Sequence, residues 1–174
     1  PGEVFLGTIH RLDRPTSGIV LYARTSKALT RMNEQFREKQ VQKTYWAVVD
    51  NAPPNTSGTL ENYLQKNQKQ NKSFVTKGAE GKHAVLDFKL LKKLDNFYHL
   101  EIKPKTGRHH QIRVQLANIG CIIKGDLKYG ARRSNKDASI HLLAQKLEFI
   151  HPVKKEPIII VAPAPKDSIW EDCK

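Results

Sequence analysis

The first candidate for chemistry in this sequence is Asp13, which stands between Arg11 and Arg14 in a short segment broken by Pro15 and Gly18. A carboxylate flanked by guanidinium groups stays ionised, because an opposite charge within a few ångströms favours the charged form. Such a group can act as a nucleophile or a base on an anionic partner that the arginines attract. An ordinary surface ion pair in front of a strand is the alternative interpretation.

Two further side chains of a suitable type lie on predicted regular elements. Tyr45 falls in the strand-like run KTYWAVV, where a tyrosine most often packs in the core with its hydroxyl at the rim. Beside a base-binding pocket, the same ring can stack on an extruded base and its hydroxyl can transfer a proton. Arg113 lies on a predicted helix, and a buried arginine requires a carboxylate partner. Asp13 is the natural candidate for a bidentate pair, with Asp126 or Glu101 as alternatives.

Strings along most of the chain resemble the motifs of one enzyme family. HRLD followed by TSG at 10–18 resembles the signature of the RluA-type pseudouridine synthases, whose aspartate is catalytic. Further matches follow in the family's order: KTY at 43–45, TGRHHQIR at 106–113, GD at 125–126, YG at 129–130, FIHP at 149–152 and APAP at 162–165. Two positions depart from the pattern. His109 stands where threonine is usual, and Leu143 stands where histidine is frequent, the nearest histidine being His141.

The resemblance implies an RNA pseudouridine synthase that isomerises specific uridines in structured ribosomal or transfer RNA. Such an enzyme breaks the N1–C1′ bond, turns the uracil and rejoins it through C5. By resemblance, Asp13 is the essential carboxylate, Tyr45 stacks on the uracil and transfers a proton, and Arg113 orients Asp13. The RNA-binding residues implied are His10, Arg11, Arg14, Lys43, Arg108, His110 and Gln111. The reaction needs no redox change and no energy input, so we expect no cofactor. Whether Asp13 attacks C1′ or abstracts the 2′ proton stays open.

The segment from Arg108 to Gln111 is expected to open a helix, where free amides and the positive end of the dipole favour phosphate. It contains two adjacent histidines, His109 and His110, which could suggest a metal site. Consecutive helical positions point about 100° apart, and no cysteine or carboxylate completes a ligand set. We therefore expect no metal there.

The charge of the chain favours a polyanionic partner. Lysine and arginine total 30 against 17 acidic residues, which gives a net charge of +13. No basic amphipathic helix with bulky apolar anchors is visible, so a nucleic acid fits better than a membrane surface. No apolar run approaches the roughly 20 residues that span a bilayer. Two scattered cysteines, Cys121 and Cys173, fit a reducing cytoplasm better than a disulfide framework.

The pattern of apolar residues predicts a single α+β domain over 1–174, with a mainly antiparallel central β-sheet flanked by helices and loops. Strands are expected at 18–25, 43–49, 84–91, 97–103, 122–129, 147–150 and 157–161. Helices are expected at 25–38 and 107–118, the second one closed by Gly120. The polar stretch 65–82 carries five lysines and predicts a long exposed loop or ribbon that faces RNA.

Two other functions compete with the enzyme. A catalytically silent RNA-binding module would keep the fold and charge, but it has no need of an aspartate in an anion-binding cleft. A nuclease or phosphotransferase normally uses a cluster of carboxylates to hold metal ions. The family also has a K-P-x-G strand segment before HRLD, whereas nine residues precede His10 here. We therefore expect a catalytic domain without its N-terminal segment or an S4-type RNA-binding domain, and a monomeric full-length protein.

Overall fold

The computed structural model describes residues 4–78 and 80–173, and one large β-sheet dominates them. The strands in these ranges are β1 (Gly7–Thr8), β2 (Ser17–Gly18), β3 (Tyr22–Ala23), β4 (Gln42–Val49), β5 (Ser57–Asn67), β6 (Lys72–Thr76), β7 (Lys82–Lys93), β8 (Tyr98–Pro104), β9 (Leu142–Ile150) and β10 (Pro157–Val161). The helices are α1 (Ser26–Arg37), α2 (Gln111–Asn118) and α3 (Ser168–Asp172), with a 3-10 turn at Leu127–Tyr129.

The sheet has the strand order β10-β9-β4-β8-β7-β5-β6, and each neighbouring pair in this order is antiparallel. Strand β2 joins β9 in a parallel pair beside Leu143 and Ala144, next to the part of β9 that β10 covers. Strands β1 and β3 form a separate two-stranded ribbon. The mainly antiparallel α+β fold predicted from the sequence is therefore confirmed.

Different helices cover the two faces of the sheet. Ala47 and Val49 of β4 belong to the same buried cluster as Leu116 of α2. Val48, which points to the opposite face, packs in a second cluster with Trp170 of α3. This burial on both faces explains why β4 ends in a continuous apolar run rather than an alternating one. It also fixes α2 against the centre of the sheet.

Helix α1 forms where the sequence predicts it and braces the end of β9. The Thr25 hydroxyl caps the helix by accepting the Ala28 N–H at 3.1 Å. Near the other end, the Gln35 side chain donates to the Ile150 carbonyl at 2.8 Å and accepts the Ile150 N–H at 3.1 Å. This paired bond satisfies the backbone of the last residue of β9.

The continuous strand predicted over 18–25 is wrong, since only β2 and β3 form there. Gly18 has φ +120°, and a Cβ at this position would collide with the backbone of Ala144. The chain therefore approaches β9 closely for two residues and then turns away. A left-handed conformation at the contact residue ends the pairing that the apolar run 19–22 would otherwise extend.

The strand predicted over 122–129 is also wrong. Ile123 makes a single bridge to Val49, after which Gly125, with φ +87°, leads into the 3-10 turn. The predicted helix 107–118 begins only at Gln111. His110, just before it, has φ +54°, and this left-handed conformation prevents the helix from starting earlier. The Gly120 stop is as predicted, with φ +80°.

Within the stretch 65–82, β5 and β6 form the ribbon that the sequence allowed, while Ala79 lies outside the described residues. Strands β5 and β6 pair in register, with Leu64 opposite Val75. Leu64 is buried in a cluster with Ala84 and Tyr129. The apolar residues of this segment are too few to show a period, but they suffice to hold the hairpin on the body of the sheet.

Candidate active site

Asp13 lies in a loop whose backbone is bonded to Ile140 and to strand β9. The Thr16 N–H donates to the Asp13 carbonyl at 2.9 Å and closes a tight turn. The Ile140 N–H donates to the Pro15 carbonyl at 2.9 Å, and β2 then pairs with β9. These bonds fix the backbone, while the Asp13 side chain stays 29% exposed. A reacting group must be held in place and must also be accessible to the substrate, and Asp13 meets both conditions.

Arg113 connects Asp13 to a second, buried acid. Its Nη1 lies 3.3 Å from Asp13 Oδ2, so the predicted contact is present. The bidentate pair, however, is made with Asp126: Nε and Nη2 donate to the two Asp126 oxygens at 2.7 Å each. The expectation of a bidentate pair with Asp13 is thus wrong, and the alternative partner Asp126 is the correct one. Asp126 is 1% exposed and Arg113 is 4% exposed, so the buried charges require this close pairing.

Tyr129 completes the surroundings of Arg113, and the sequence did not single it out. The centre of the guanidinium lies 5.1 Å from the centroid of the Tyr129 ring, which is a cation–π distance. Asp126 and Tyr129 belong to the GD and YG strings, so the signal was present as a motif without an assigned role.

Tyr45 lies on β4 and faces a cleft that Asp13 also lines. Asp13 and Tyr45 both line it, and the pairing of β4 with β9 shifts register between Thr44 and Tyr45. Burial, followed by the charge of Asp13, raises the pKa of Tyr45 to about 12. The phenol therefore keeps its proton at neutral pH, and it can stack and donate a hydrogen bond without prior activation.

The cleft has a volume of about 840 Å³, and cations outnumber acids along its wall. Its acidic lining residues are Asp13 and Asp87. The basic ones are Arg11, Arg37, Lys39, Lys43, Lys103, Lys105, Arg108 and Arg113. Such a lining attracts a polyanion and raises its local concentration.

Of the predicted RNA-binding cations, Arg11, Lys43 and Arg108 line this cleft. Burial lowers the pKa of Lys43, whose ammonium lies 5.9 Å from the centroid of the Phe36 ring. Arg108 is exposed and precedes α2, and its Nε donates to the His83 carbonyl at 2.8 Å. Arg14 is exposed but does not line the cleft, so the structure does not bring it to the other site residues.

His10 supports the loop rather than offering a charge to RNA. Its Nε2 accepts the Leu21 N–H at 3.1 Å, and its ring stacks on Phe36 with centroids 5.1 Å apart. Burial, followed by the nearby Lys43, lowers the pKa of His10. The ring is therefore neutral near pH 7, and its position tethers the segment just before Asp13.

Gln111 and His110 were predicted to bind RNA, and the structure buries both. The Gln111 side-chain oxygen accepts the Arg108 N–H at 3.0 Å and the Thr106 hydroxyl at 2.8 Å. Its amide donates to the Val85 carbonyl at 3.0 Å. Gln111 therefore stabilises the loop that leads into α2. Since these internal bonds use both ends of its amide, the side chain has little hydrogen-bonding capacity left for a phosphate.

The two departures from the family pattern lie in different places. The His109 Nδ1 lies 2.8 Å from the Ser73 hydroxyl, so this histidine connects the loop before α2 to the β5–β6 ribbon. The second departure, Leu143, is buried in a cluster with Val48 and Trp170. The nearby His141 pairs with Asp167 at 3.1 Å and stacks on Trp170, which holds α3. Leu142 is the residue of this segment that lines the cleft.

Within 4–78 and 80–173, no group of three or more histidine, cysteine, aspartate or glutamate side chains is placed to hold a metal ion. The helices of these residues are too short or too polar to cross a membrane.

The chain matches the family described as RNA pseudouridylate synthase over residues 2–118. It is 36% identical over 171 residues to ribosomal large subunit pseudouridine synthase C of Buchnera aphidicola subsp. Baizongia pistaciae, covering 94% of this chain and 54% of that protein. An uncharacterized RNA pseudouridine synthase of Zymomonas mobilis is 36% identical over 160 residues, covering 91% of this chain and 73% of that protein.

The solved structure of human RNA pseudouridylate synthase domain containing 1 has the same fold, with a TM-score of 0.79 at 24% identity, covering 97% of this chain and 73% of that one. The chain belongs to the RNA pseudouridylate synthase family and is of the RluA type. It spans about half the length of the curated relatives named as ribosomal large subunit synthases C and D.

Proposed function

We propose that this chain isomerises uridine in structured RNA to pseudouridine, with Asp13 as the essential carboxylate. The observation that carries the proposal is the contact of Asp13 with Arg113 in a cleft lined mainly by cations. A charged acid beside one fixed guanidinium, and otherwise facing an open basic cleft, is arranged to act on an anionic substrate.

The reaction conserves atoms within the nucleoside. The N1–C1′ bond breaks, a C5–C1′ bond forms, the C5 proton leaves and N1 gains a proton. Asp13 starts it, either by attacking C1′ or by taking the 2′ proton, and both routes need the ionised carboxylate. Arg113 orients that carboxylate. Membership of the family and the open position of Asp13 support this assignment.

Tyr45 is proposed to stack on the uracil while it turns. Since its pKa is about 12, the phenol enters the reaction with its proton in place. It can donate to the base at once, but it must lose its own proton before it accepts the one from C5. This order makes Tyr45 a proton donor first and a proton acceptor only later in the cycle.

The RNA is proposed to bind by its phosphates, with the target base extruded into the cleft. Arg11 and Arg108, which line the cleft, are candidates for phosphate contacts. The planar Arg11 guanidinium can also fill the gap that the extruded base leaves in the RNA stack. The segment 65–82, which contains the β5–β6 hairpin, adds further cations, which are Lys66, Lys69, Lys72, Lys77 and Lys82.

Ribosomal RNA is the substrate class that the names of the relatives favour, since several are called ribosomal large subunit synthases. Transfer RNA is the second candidate. A cytoplasmic location and a monomeric full-length protein stay predictions. Cys121 and Cys173, both buried and free of disulfides, are in accord with the former.

The test is release of tritium from RNA labelled at C5 of uridine. The wild-type chain is expected to release label, and Asp13→Asn is expected to release none while still binding RNA. Asp95→Asn is the matched control, because the same change is made in an exposed turn away from the cleft. RNA binding without label release by the wild-type chain would favour the catalytically silent binding module instead.

A further inference from the structure

His110 holds a position between the catalytic loop and a tyrosine that the proposed function does not use. Its side chain is 7% exposed, and its two ring nitrogens face different partners. Nδ1 lies 3.0 Å from the Tyr129 hydroxyl, and Nε2 lies 3.8 Å from Asp13 Oδ2. A buried imidazole with one nitrogen on a fixed hydroxyl and the other towards a reacting carboxylate can control that carboxylate.

The hydrogen bonds of Tyr129 restrict where the protons lie. Its hydroxyl accepts the Ser73 N–H at 2.9 Å, so its own proton is free to be donated. The possible acceptors are His110 Nδ1 at 3.0 Å and the Ser73 carbonyl at 3.2 Å. Burial raises the pKa of Tyr129 to about 12, so the hydroxyl keeps this proton at neutral pH.

The tautomer of His110 follows from the same contacts. Burial, followed by the charge of Arg113, lowers the pKa of His110 to about 4, so the ring is neutral and carries one proton. If that proton were on Nδ1, the bare lone pair of Nε2 would face the Asp13 carboxylate, which is repulsive. If it is on Nε2, the Tyr129 hydroxyl donates to Nδ1 and the Nε2–H points at Asp13. The second arrangement satisfies both contacts.

The two groups that approach Asp13 do so at one oxygen. Arg113 Nη1 and His110 Nε2 both face Oδ2, at 3.3 and 3.8 Å. In the part of the chain that the structure describes, the hydrogen bond to the Asp13 carboxylate reaches Oδ2 and none reaches Oδ1. Asp13 therefore has an anchored oxygen and an open oxygen, and the open one is available to the ribose.

We propose that His110 is a positioning residue for Asp13, with Tyr129 holding it in the Nε2–H tautomer, and that Oδ1 is the oxygen that reacts. This inference rests on the proposed function. The His110 contact is about 1 Å longer than a typical hydrogen bond, and such bonds often shorten only when substrate binds. A small movement of the partly exposed Asp13 side chain closes it and turns Oδ1 towards C1′ or the 2′ position.

The kinetic test uses two replacements of one ring. Asn at position 110 suits the left-handed backbone, which has φ +54°, and can keep a bond to Tyr129, but it has no donor that reaches Asp13. Gln is longer and carries a donor near the position of Nε2. His110→Asn is expected to lower kcat about tenfold with KM for RNA nearly unchanged, and His110→Gln is expected to recover a large part of the loss.

Tyr129→Phe should also lower kcat, because His110 is then free to change tautomer. His83→Asn is the matched control, since this exposed histidine bonds Glu61 and does not line the cleft. A kcat for His110→Asn within twofold of wild type would overturn the proposal. So would equal losses for the Asn and Gln variants, because these would mean that only the shape of the ring matters.

A readout independent of activity separates this inference from the proposed function. Nitrogen NMR of selectively labelled histidine is expected to show His110 protonated at Nε2 in the wild-type chain, and a mixture of tautomers in Tyr129→Phe. A proton on Nδ1 would overturn the inference even in an active enzyme. A wild-type chain with the expected tautomer that forms no pseudouridine would overturn the proposed function alone.

Discussion

Arg113 gives two of its nitrogens to Asp126 and a third to Asp13, so one guanidinium joins a fully buried acid to a partly exposed one. The bidentate bonds at 2.7 Å fix the plane of the group, and the single contact at 3.3 Å is what remains for Asp13. Arg113 therefore has both a structural and a catalytic task, and these can be separated by substitution.

Arg113→Met should lower both stability and activity. Removing the guanidinium leaves Asp126 buried without its partner, which costs about 3–5 kcal/mol of unfolding free energy. The double variant Arg113→Met/Asp126→Leu should regain most of that stability but not the activity, because Asp13 still lacks its cation. Urea unfolding and tritium release measure the two effects. A double variant that recovers turnover would show that Arg113 matters only for folding.

Tyr45→Phe should bind RNA nearly as well as wild type but turn over at least tenfold more slowly, because the ring remains and the proton donor is lost. Wild-type activity should show no change caused by ionisation of Tyr45 below about pH 10, since burial raises its pKa to about 12. Tyr98→Phe, in β8 outside the cleft lining, is the control. Full activity of Tyr45→Phe would remove the hydroxyl from the mechanism.

His99 should make the protein less stable in acid. It is buried, and neither ring nitrogen has a hydrogen-bond partner among the described residues. Burial, followed by the charge of Lys92, lowers its pKa from 6.5 to about 4. The unfolded chain then takes up a proton first as the pH falls, so stability present above pH 6.5 is lost towards pH 4.

His99→Phe should accordingly raise the unfolding free energy by about 1 kcal/mol at pH 7, and by more at pH 5. Unfolding by urea at the two pH values gives both numbers. Some acid sensitivity should persist, because His110 also has a pKa of about 4. An unchanged difference between pH 7 and pH 5 in the variant would mean that His99 is not the group responsible.

RNA affinity should fall steeply with salt, because a chain of net charge +13 binds chiefly by releasing counterions from phosphates. Replacing one lysine of the ribbon, as in Lys69→Gln, should lower the slope of log K against log salt by roughly 0.7. Lys154→Gln, in the turn before β10, should leave the slope unchanged. An affinity that hardly differs between low and physiological salt would indicate recognition by shape or by bases.

The sequence was sufficient where a local signal decides the structure. Thr25 caps α1 by its own side chain, and Pro157 opens β10, so both elements lie where they were predicted. Prediction from the sequence failed where a distant part of the backbone determines the local structure. Gly18 ends a promising strand because β9 passes too close, and no feature of the residues 18–25 reveals that neighbour.

The site shows the same limit. The motifs identified Asp13, Tyr45 and Arg113, and the structure brings all three to one cleft. The choice of Asp126 as the bidentate partner depends on how α2 packs against the turn 125–130, which spacing alone does not determine. The inward position of His110 depends on a left-handed backbone at a non-glycine residue, which sequence patterns rarely reveal.

Nucleoside analysis of treated RNA tests most directly whether the Asp13 carboxylate drives isomerisation of uridine. Tritium release reports only loss of the C5 proton, whereas digestion to nucleosides and separation of uridine from pseudouridine reports the product itself. Wild-type chain and Asp95→Asn should yield pseudouridine at equal rates, and Asp13→Asn should yield none while folding and binding RNA like wild type. Pseudouridine formed by Asp13→Asn at a rate near that of wild type would show that a group other than the Asp13 carboxylate drives the reaction.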